Sequence, residues 1–196
     1  MSDARSRLLG TASRLFYAEG LHSVGVDRIL AEAKVTRATM YRHFAGKEDL
    51  VVAYLGEADR ATRQQVESAV ASASSDADAV RGVARGIAEH IRLREFRGCA
   101  FLNAVAEYPD PAHPVHVAVL AHRQWFLDTV TELLERVGGA PAELEGRHFV
   151  MLRDGAMAAG CLTDPGPIGD TFLAAVEGIL RSRGGATSPR AAAVRT

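Results

Sequence analysis

The sequence predicts an all-α protein of about nine helices. Apolar residues recur at helical spacing along nearly the whole chain, and no stretch of useful length alternates as a strand would. Glycines and prolines separate the periodic segments where helices would end and begin. With 196 residues, 47% of them hydrophobic and 24% charged, the chain can bury a sizeable core.

The first three helices are short and closely spaced. An apolar face formed by Leu8, Ala12, Leu15 and Phe16 predicts a first helix, which Gly20 ends. The predicted segments that follow are a helix over Val26–Ala33, a turn at Lys34-Val35-Thr36, a helix from about Arg37 to Phe44, and a break at Ala45-Gly46.

Six further helical segments follow. Prolines and small polar residues mark their starts, and glycines mark several of their ends. The predicted helices run from Lys47 to about Val70, from an N-cap at Ser75 or Asp76 to Ile91, from Cys99 to Glu107, from Pro114 to Gly138-Gly139, from Pro141 to about Leu162, and from Pro165-Gly166-Pro167 to about Arg183.

Charge and composition exclude several classes of protein. Lys plus Arg number 23 and Asp plus Glu number 24, which excludes a polycation or an acidic disordered chain. Residues 1–55 carry eight basic and six acidic side chains, whereas the remainder carries 15 and 18, a weak indication that the first part contacts nucleic acid. Two cysteines cannot form a disulfide scaffold. The chain shows no apolar stretch of 18 residues and no secretory signal, so we expect a cytoplasmic protein.

Sequence patterns give no support to an enzyme. Gly46-Lys47 is followed by Glu48 rather than by the Ser or Thr of a phosphate-binding loop. A Rossmann glycine pattern and a nucleophile elbow are also missing from the sequence. We expect neither a cofactor nor a metal ion, since His113 and His116 fit no established ligand spacing.

The second and third helices have the layout of a helix-turn-helix. We therefore predict a fold in which an N-terminal helix-turn-helix head is followed by a C-terminal helical bundle. Val35, Met40 and Phe44 are spaced to face the core, and Thr36 can cap the third helix. Arg37 suits guanine acceptors, and the hydroxyls of Thr39 and Tyr41 suit phosphates or base edges. Lys47 lies at a helix start that favours a phosphate. A helical hairpin whose polar residues are merely solvated remains the alternative.

The string from Val35 to Leu50, VTRATMYRHFAGKEDL, resembles the signature of the TetR family of regulators, and the resemblance extends over residues 5–55. Two positions depart from the pattern: Lys34 stands where glycine is usual, and Gly46 stands where Ser, Asp or Asn is usual. A left-handed lysine costs about 1 kcal/mol, so both departures bear on local stability. The resemblance implies a DNA-facing set of Thr36, Arg37, Ala38, Thr39, Tyr41, Arg42 and His43, with Lys47 on a phosphate.

The resemblance also implies that residues 1–48 bind DNA and that residues 49–183 dimerise and hold a small-molecule effector. Residues 184–196 lack periodicity, which predicts a disordered tail. Small residues that let helices approach, and an apolar face in the last helix, agree with a dimer interface. Burial of that helix within one subunit is the alternative. The interface candidates are Gly155, Ala156, Ala159, Ile168, Phe172, Val176, Ile179 and Leu180.

Residues 80–160 are expected to hold the effector pocket, because apolar helices there carry a few polar groups. The candidate lining residues are Phe96, Phe101, Asn103, Glu107, His122, Trp125 and Met157, for each of which an ordinary role in the core is the alternative. Cys99, at a predicted helix start, is either a redox-sensitive thiol or a small buried residue.

These patterns together predict a homodimeric transcriptional regulator. The favoured function is that of a repressor, which leaves a palindromic operator when a small apolar or amphipathic effector binds. A helical small-molecule carrier without DNA-binding activity is the alternative.

Overall fold

The computed structural model describes residues 3–185, and within that range it contains nine α-helices and no strand. The predicted all-α fold is confirmed. The helices are α1 (Asp3–Glu19), α2 (Val26–Ala33), α3 (Arg37–Tyr41), α4 (Lys47–Ala71), α5 (Asp76–Ile91), α6 (Ala100–Glu107), α7 (Pro114–Gly138), α8 (Glu143–Ala159) and α9 (Pro165–Gly185).

The predicted and observed helix bounds differ at three places. Helix α3 ends at Tyr41 rather than near Phe44, because the N–H groups of His43 and Phe44 both bond the carbonyl of Met40 and form a tighter turn. Helix α8 is shorter at both ends than predicted. Helix α9 continues to Gly185. The rest of the predicted tail, residues 186–196, lies outside the described residues.

The chain divides by its internal contacts into two compact units. The first contains the residues up to Gln64 and Leu93–Gln124, and the second contains Gln65–Arg92 and the residues from Trp125 onward. This division follows packing, and the functional boundary after residue 48 stays a prediction.

In the first unit, α1, α2 and α3 pack against one another. Their shared core consists of residues that the sequence places on apolar faces, and the burial of these residues supplies most of the stabilisation of the three helices. The fully buried members of this core include Leu8, Leu15, Ile29 and Met40.

In the second unit, α9 packs against α5 and α8. Helix α8 also approaches α7 closely: a Cβ atom at Gly146 would lie 3.2 Å from the Cβ of Thr131. Buried Arg183 anchors the end of α9, donating from Nε to the carbonyl of Leu134 at 3.1 Å and from Nη1 to that of Pro141 at 2.8 Å. Within residues 3–185, no helix is long and apolar enough to cross a membrane.

Candidate nucleic-acid interface

Helices α2 and α3 are joined by the short turn that the sequence predicts. Lys34 ends α2 in the left-handed region, with φ 53° and ψ 49°. Among residues 3–185 it is the one non-glycine residue with positive φ. The N–H groups of Lys34 and Val35 bond the carbonyls of Ala31 and Leu30 at 3.3 and 3.1 Å. These bonds hold the turn in spite of the conformational cost of about 1 kcal/mol.

Thr36 caps α3 as predicted. Its Oγ1 accepts a hydrogen bond from the backbone N–H of Thr39 at 3.2 Å, which satisfies one of the donors left open at the start of a helix. Its hydroxyl also lies 3.0 Å from the Oγ1 of Thr39. Buried Met40 fixes the inner face of α3, so the rotation of this five-residue helix is set by a cap and an anchor.

The outer face of α3 carries most of the predicted DNA-facing set. Thr36, Arg37, Ala38, Tyr41 and Arg42 are exposed, and Tyr41 retains 53% of its possible accessible surface. The remaining three positions of the set, Thr39, His43 and Lys47, are half-buried. The structure thus brings guanidinium and hydroxyl groups together on one exposed surface, which suits both phosphates and base edges.

Arg37 has partners within the chain. Its Nη2 donates to the Asp27 carboxylate of α2. Hydrogen bonding to Tyr41, together with the charge of Asp27, raises the pKa of Arg37 above its ordinary value. The sequence gives no signal for the pair with Asp27, since ten residues separate the two side chains and only tertiary packing joins them.

Lys47 points back toward the loop between α1 and α2. Its Nζ donates to the carbonyl of His22 at 3.2 Å. Burial lowers the pKa of Lys47, and the nearby Glu107 carboxylate partly offsets that effect. The ammonium group has two further N–H donors, so a phosphate contact can be added to the bond with His22.

Two other arginines of the first helices pair with acidic neighbours. Arg28 pairs with Glu19 and Glu32, and Arg14 also pairs with Glu32. Hydrogen bonds to Glu19 and Glu32 raise the pKa of Arg28. Arg14 and Arg28 are therefore neutralised by acidic neighbours within the first two helices.

Glu107, at the end of α6, binds the loop that connects α1 with α2. Its carboxylate accepts hydrogen bonds from the backbone N–H groups of Leu21, at 2.8 Å, and His22, at 2.6 Å. The Tyr17 hydroxyl donates to the carbonyl of Gly98 at 3.1 Å, so the residues before α6 are also tied to α1. Sequence reasoning placed Glu107 in an effector pocket and missed this contact, because spacing along α6 does not show which backbone its side chain reaches.

Comparison with known proteins identifies the family of the chain. A family profile described as bacterial regulatory proteins, tetR family, matches residues 8–54. The crystal structure of SCO4454, a TetR-family transcriptional regulator from Streptomyces coelicolor, is 67% identical, with a TM-score of 0.91 over 92% of this chain and 96% of that one. The chain belongs to the TetR family.

Two curated relatives of this TetR-family chain are more distant. The transcriptional regulator LmrA of Bacillus subtilis is 28% identical over 80 residues, which are 40% of this chain and 43% of LmrA. The chain thus spans less than half the length of that relative. The transcriptional activator FasR of Mycolicibacterium smegmatis is 27% identical over 158 residues, 80% of this chain and 68% of FasR.

Five of the effector-pocket candidates lie in the first unit of this TetR-family chain, and polar or stacking contacts hold at least four of them there. Phe101 stacks on His122 with ring centroids 3.6 Å apart, and His122 Nδ1 lies 2.7 Å from the Oδ1 of Asp59. Asn103 donates from Nδ2 to the carbonyl of Arg97 at 2.9 Å. The fourth is Glu107, described above. Their role in binding a ligand stays a prediction.

Asp59 is an ionised link between α4 and α7. Burial acts to raise its pKa, but hydrogen bonds from Arg63 and His122 outweigh burial, so the pKa of Asp59 is lowered. Arg63 Nε lies 2.7 Å from the Oδ2 of Asp59. The buried imidazole of His122 is therefore held by a carboxylate that α4 supplies.

The other pocket candidates are apolar. Phe96 and Met157 are buried, and Trp125 is half-buried with its ring 6.1 Å from that of Phe126. Cys99 is also buried, whereas Cys161 is exposed. In residues 3–185, no three His, Cys, Asp or Glu side chains are grouped so that they could hold a metal ion.

Most of the interface candidates are already covered within one subunit. The packing of α9 against α5 and α8 buries them, and their role in a dimer interface stays a prediction. Gly155 is exposed, and Ala159 and Ile168 are half-buried. The candidates that the second unit buries are Ala156, Phe172, Val176, Ile179 and Leu180.

One of these candidates, Gly155, belongs to a row of residues on α8 that remains exposed. Leu144, Met151 and Gly155 recur at intervals of seven and four residues, and Leu162 continues the row after the helix ends. Met151 is 67% exposed and Leu162 is 82% exposed. We call these four residues the α8 stripe. No atom lies within 4 Å of a Cβ atom placed on Gly155, so the middle of the stripe is open to a close approach.

Proposed function

We propose that this chain is a homodimeric, sequence-specific DNA-binding regulator of transcription, which acts in the bacterial cytoplasm. One observation carries the proposal: a capped α3 presents Arg37, Tyr41 and Arg42 on an exposed face after a helix-turn-helix turn. In this motif the second helix enters the major groove. Membership of the TetR family supports the same function.

The proposed DNA contacts divide by chemistry. Thr36, Tyr41 and Lys47 contact phosphates and fix the register, since hydroxyl and ammonium groups bind phosphate oxygens without reading sequence. Arg37 and Arg42 read bases, because guanidinium groups can bind guanine O6 and N7 together. Ala38, Thr39 and His43 complete the predicted surface.

The proposed dimer uses the α8 stripe. Exposed Leu144, Met151 and Leu162 form an apolar row that a second copy would cover, and Gly155 allows the two helices to approach closely. Two-fold symmetry would set two α3 helices about 34–36 Å apart, which matches a palindromic operator.

The proposed regulatory event is release of the operator when an effector binds. The effector is a small apolar or amphipathic molecule. The candidate lining residues of the first unit are Phe96, Phe101, Asn103, Glu107 and His122, and those of the second unit are Trp125 and Met157. The effector would favour a dimer in which the spacing of the two helix-turn-helix heads does not suit the operator, and it would thereby weaken DNA binding. The coupling free energy between effector binding and DNA binding is typically about 1–3 kcal/mol.

The direct test is gel retardation of the DNA that lies upstream of the gene, at fixed salt. The chain should retard it, Arg37→Ala should reduce sequence preference, and Lys47→Ala should weaken all sequences and flatten the salt dependence. Arg94→Ala, at an exposed site between α5 and α6, serves as the matched control. If the wild-type chain leaves this DNA free but takes up apolar ligands, it is a carrier instead.

Two further measurements test the proposed dimer and the direction of regulation. Light scattering should give a dimer for the wild-type chain and a monomer for Met151→Glu, whereas Val117→Glu, at a site exposed to 52%, should stay dimeric. A reporter placed behind the operator should rise when the gene is deleted. A fall would assign activation, the function printed for FasR.

A further inference from the structure

Arg42, the residue that follows α3, is held against that helix by a hydroxyl group. Its Nη2 donates a hydrogen bond to the Oγ1 of Thr39 at 3.1 Å. Arg42 is exposed and Thr39 is half-buried, so the threonine supports the arginine from the inner side of the surface. Because the partner is a neutral hydroxyl, the bond leaves the full positive charge of Arg42 for another molecule.

The Thr39 hydroxyl is itself fixed in place. The Oγ1 atoms of Thr36 and Thr39 lie 3.0 Å apart, and the Thr36 oxygen also accepts from the backbone N–H of Thr39. Met40, the next residue, is completely buried. A helix cap and a core anchor thus fix the oxygen that Arg42 bonds, so α3 itself orients the guanidinium.

The bond also sets the direction in which Arg42 points. Thr39 precedes Arg42 by three residues, nearly one helical turn, so the contact directs the guanidinium back along α3 toward the start of this helix. In a helix-turn-helix, the start of the second helix approaches the base edges, whereas the phosphates border the groove. Without this contact, an arginine at the end of α3 would be free to turn toward a phosphate.

The bond with Thr39 is compatible with reading a guanine. A guanidinium has five N–H donors, of which a bidentate contact with guanine O6 and N7 uses two and the Thr39 bond uses one. Arg42 can therefore keep its bond within the chain while it contacts a base. Because the side chain is already ordered, its contact with guanine costs less conformational entropy than that of a freely rotating arginine.

We infer that Thr39 is a positioning residue, whose hydroxyl holds Arg42 toward the base edges and thereby favours its contact with guanine. The inference rests on the proposed function, since it concerns the same DNA-binding surface. Thr39→Val is the matching perturbation, because valine has nearly the same shape and helix propensity but no hydroxyl. The backbone N–H of residue 39 can still bond the Thr36 cap in this variant.

The experiment is a double-mutant cycle with Thr39→Val and Arg42→Gln, at fixed salt. The probes are a duplex that the wild-type chain selects from a randomised library and a scrambled duplex of the same composition. Thr39→Val should weaken binding to the selected duplex about fivefold, the effect expected when one long side chain has to be ordered on binding. Binding to the scrambled duplex, in which phosphate contacts dominate, should change less than about twofold. With Arg42→Gln present, Thr39→Val should change neither affinity more than about twofold.

A modified base tests the contact itself. Guanines of the selected duplex are replaced one at a time by 7-deazaguanine, which lacks the N7 acceptor. One replacement should weaken wild-type binding by about fivefold or more, and the same replacement should weaken binding of the Arg42→Gln variant less than about twofold. Thr39→Val should give an intermediate loss, because Arg42 then divides its contacts between this base and phosphates.

Two control variants separate the Thr39 hydroxyl from other effects. Thr39→Ser keeps the hydroxyl and should keep the wild-type selectivity. Thr62→Val removes a hydroxyl from α4, where it donates to the carbonyl of Ala58 at 2.9 Å, and it should change neither affinity. Circular dichroism verifies the fold of each variant.

Three results would overturn the inference. An equal loss from Thr39→Val with and without Arg42 would show that Thr39 reads DNA itself. Equal weakening of the selected and scrambled duplexes would show a role that does not depend on sequence. Equal sensitivity of the wild type and Arg42→Gln to every 7-deazaguanine would show that Arg42 contacts no guanine N7. If the wild-type chain retains no duplex at all, the proposed function fails first; if it binds and the cycle shows no coupling, only this inference fails.

Discussion

The clearest energetic prediction concerns the carboxylate of Glu107. Its two hydrogen bonds to the backbone of Leu21 and His22 tie the loop between α1 and α2 to the end of α6. Glu107→Ala removes both acceptors and leaves two N–H groups to be satisfied by water. Glu107→Gln keeps one oxygen acceptor without the charge.

The structure sets the size of the effect. A hydrogen bond to an ionised group contributes about 1.5–3 kcal/mol when buried. The Glu107 side chain is 26% exposed, so water competes and each bond falls below that range. We expect Glu107→Ala to lower the free energy of unfolding by about 2 kcal/mol and Glu107→Gln by about half as much. In a chain of this size, a loss of about 2 kcal/mol lowers Tm by about 4–8 °C.

Two measurements check the prediction. Thermal unfolding gives the change in stability, and hydrogen exchange at the Leu21 and His22 amides reports on the two bonds themselves. Glu48→Gln is the control, since Glu48 is 65% exposed and lies 3.5 Å from His113. A Glu107→Ala variant within 0.5 kcal/mol of the wild type, or with unchanged exchange at both amides, would refute this account of the loop.

Three other substitutions test separate features. Lys34→Gly should stabilise the chain by about 0.5 kcal/mol in urea unfolding. The substitution relieves about 1 kcal/mol of left-handed strain, which exceeds the cost of the added entropy of the unfolded chain. Lys34→Ala, which keeps the strain, should give no gain. Gly146→Ala should lower the free energy of unfolding by about 1–3 kcal/mol in the same measurement, since the added Cβ would crowd Thr131. Gly86→Ala is the control, because the space around Gly86 is open and no stability should be lost. Asp59→Asn should be destabilising at pH 7. Because the folded pKa of Asp59 is lowered, that loss should shrink as the pH falls below about 4, and a constant difference between pH 7 and pH 3 would contradict the pKa shift.

Local signals explain why the head could be predicted from the sequence. Gly20 ends α1 with φ 94°, Lys34 takes the left-handed turn position, and Thr36 caps α3. Each of these features depends on residues within a few positions of one another. The inner face of α3 was predictable for the same reason, since the spacing of Val35, Met40 and Phe44 places Met40 toward the core.

Contacts between distant segments could not be predicted in this way. Helical periodicity shows that α9 has an apolar face, but it does not show what covers that face, and Phe172 and Val176 prove to be buried within the subunit. In the same way, the sequence singled out His122 as one of a few polar residues in apolar helices. Its partner Asp59 lies 63 positions away in the sequence.

The shortness of α3 limits how much sequence one head can read. Residues 37–42, which include both arginines proposed to read bases, rise only about 9 Å, which is between two and three base-pair steps of DNA. Two such heads would specify about six base pairs, a pattern that recurs by chance about once in 4,000 and hence roughly a thousand times in several million base pairs. Most of the information that marks a true operator would then reside in the distance between the heads and in the shape of the intervening DNA.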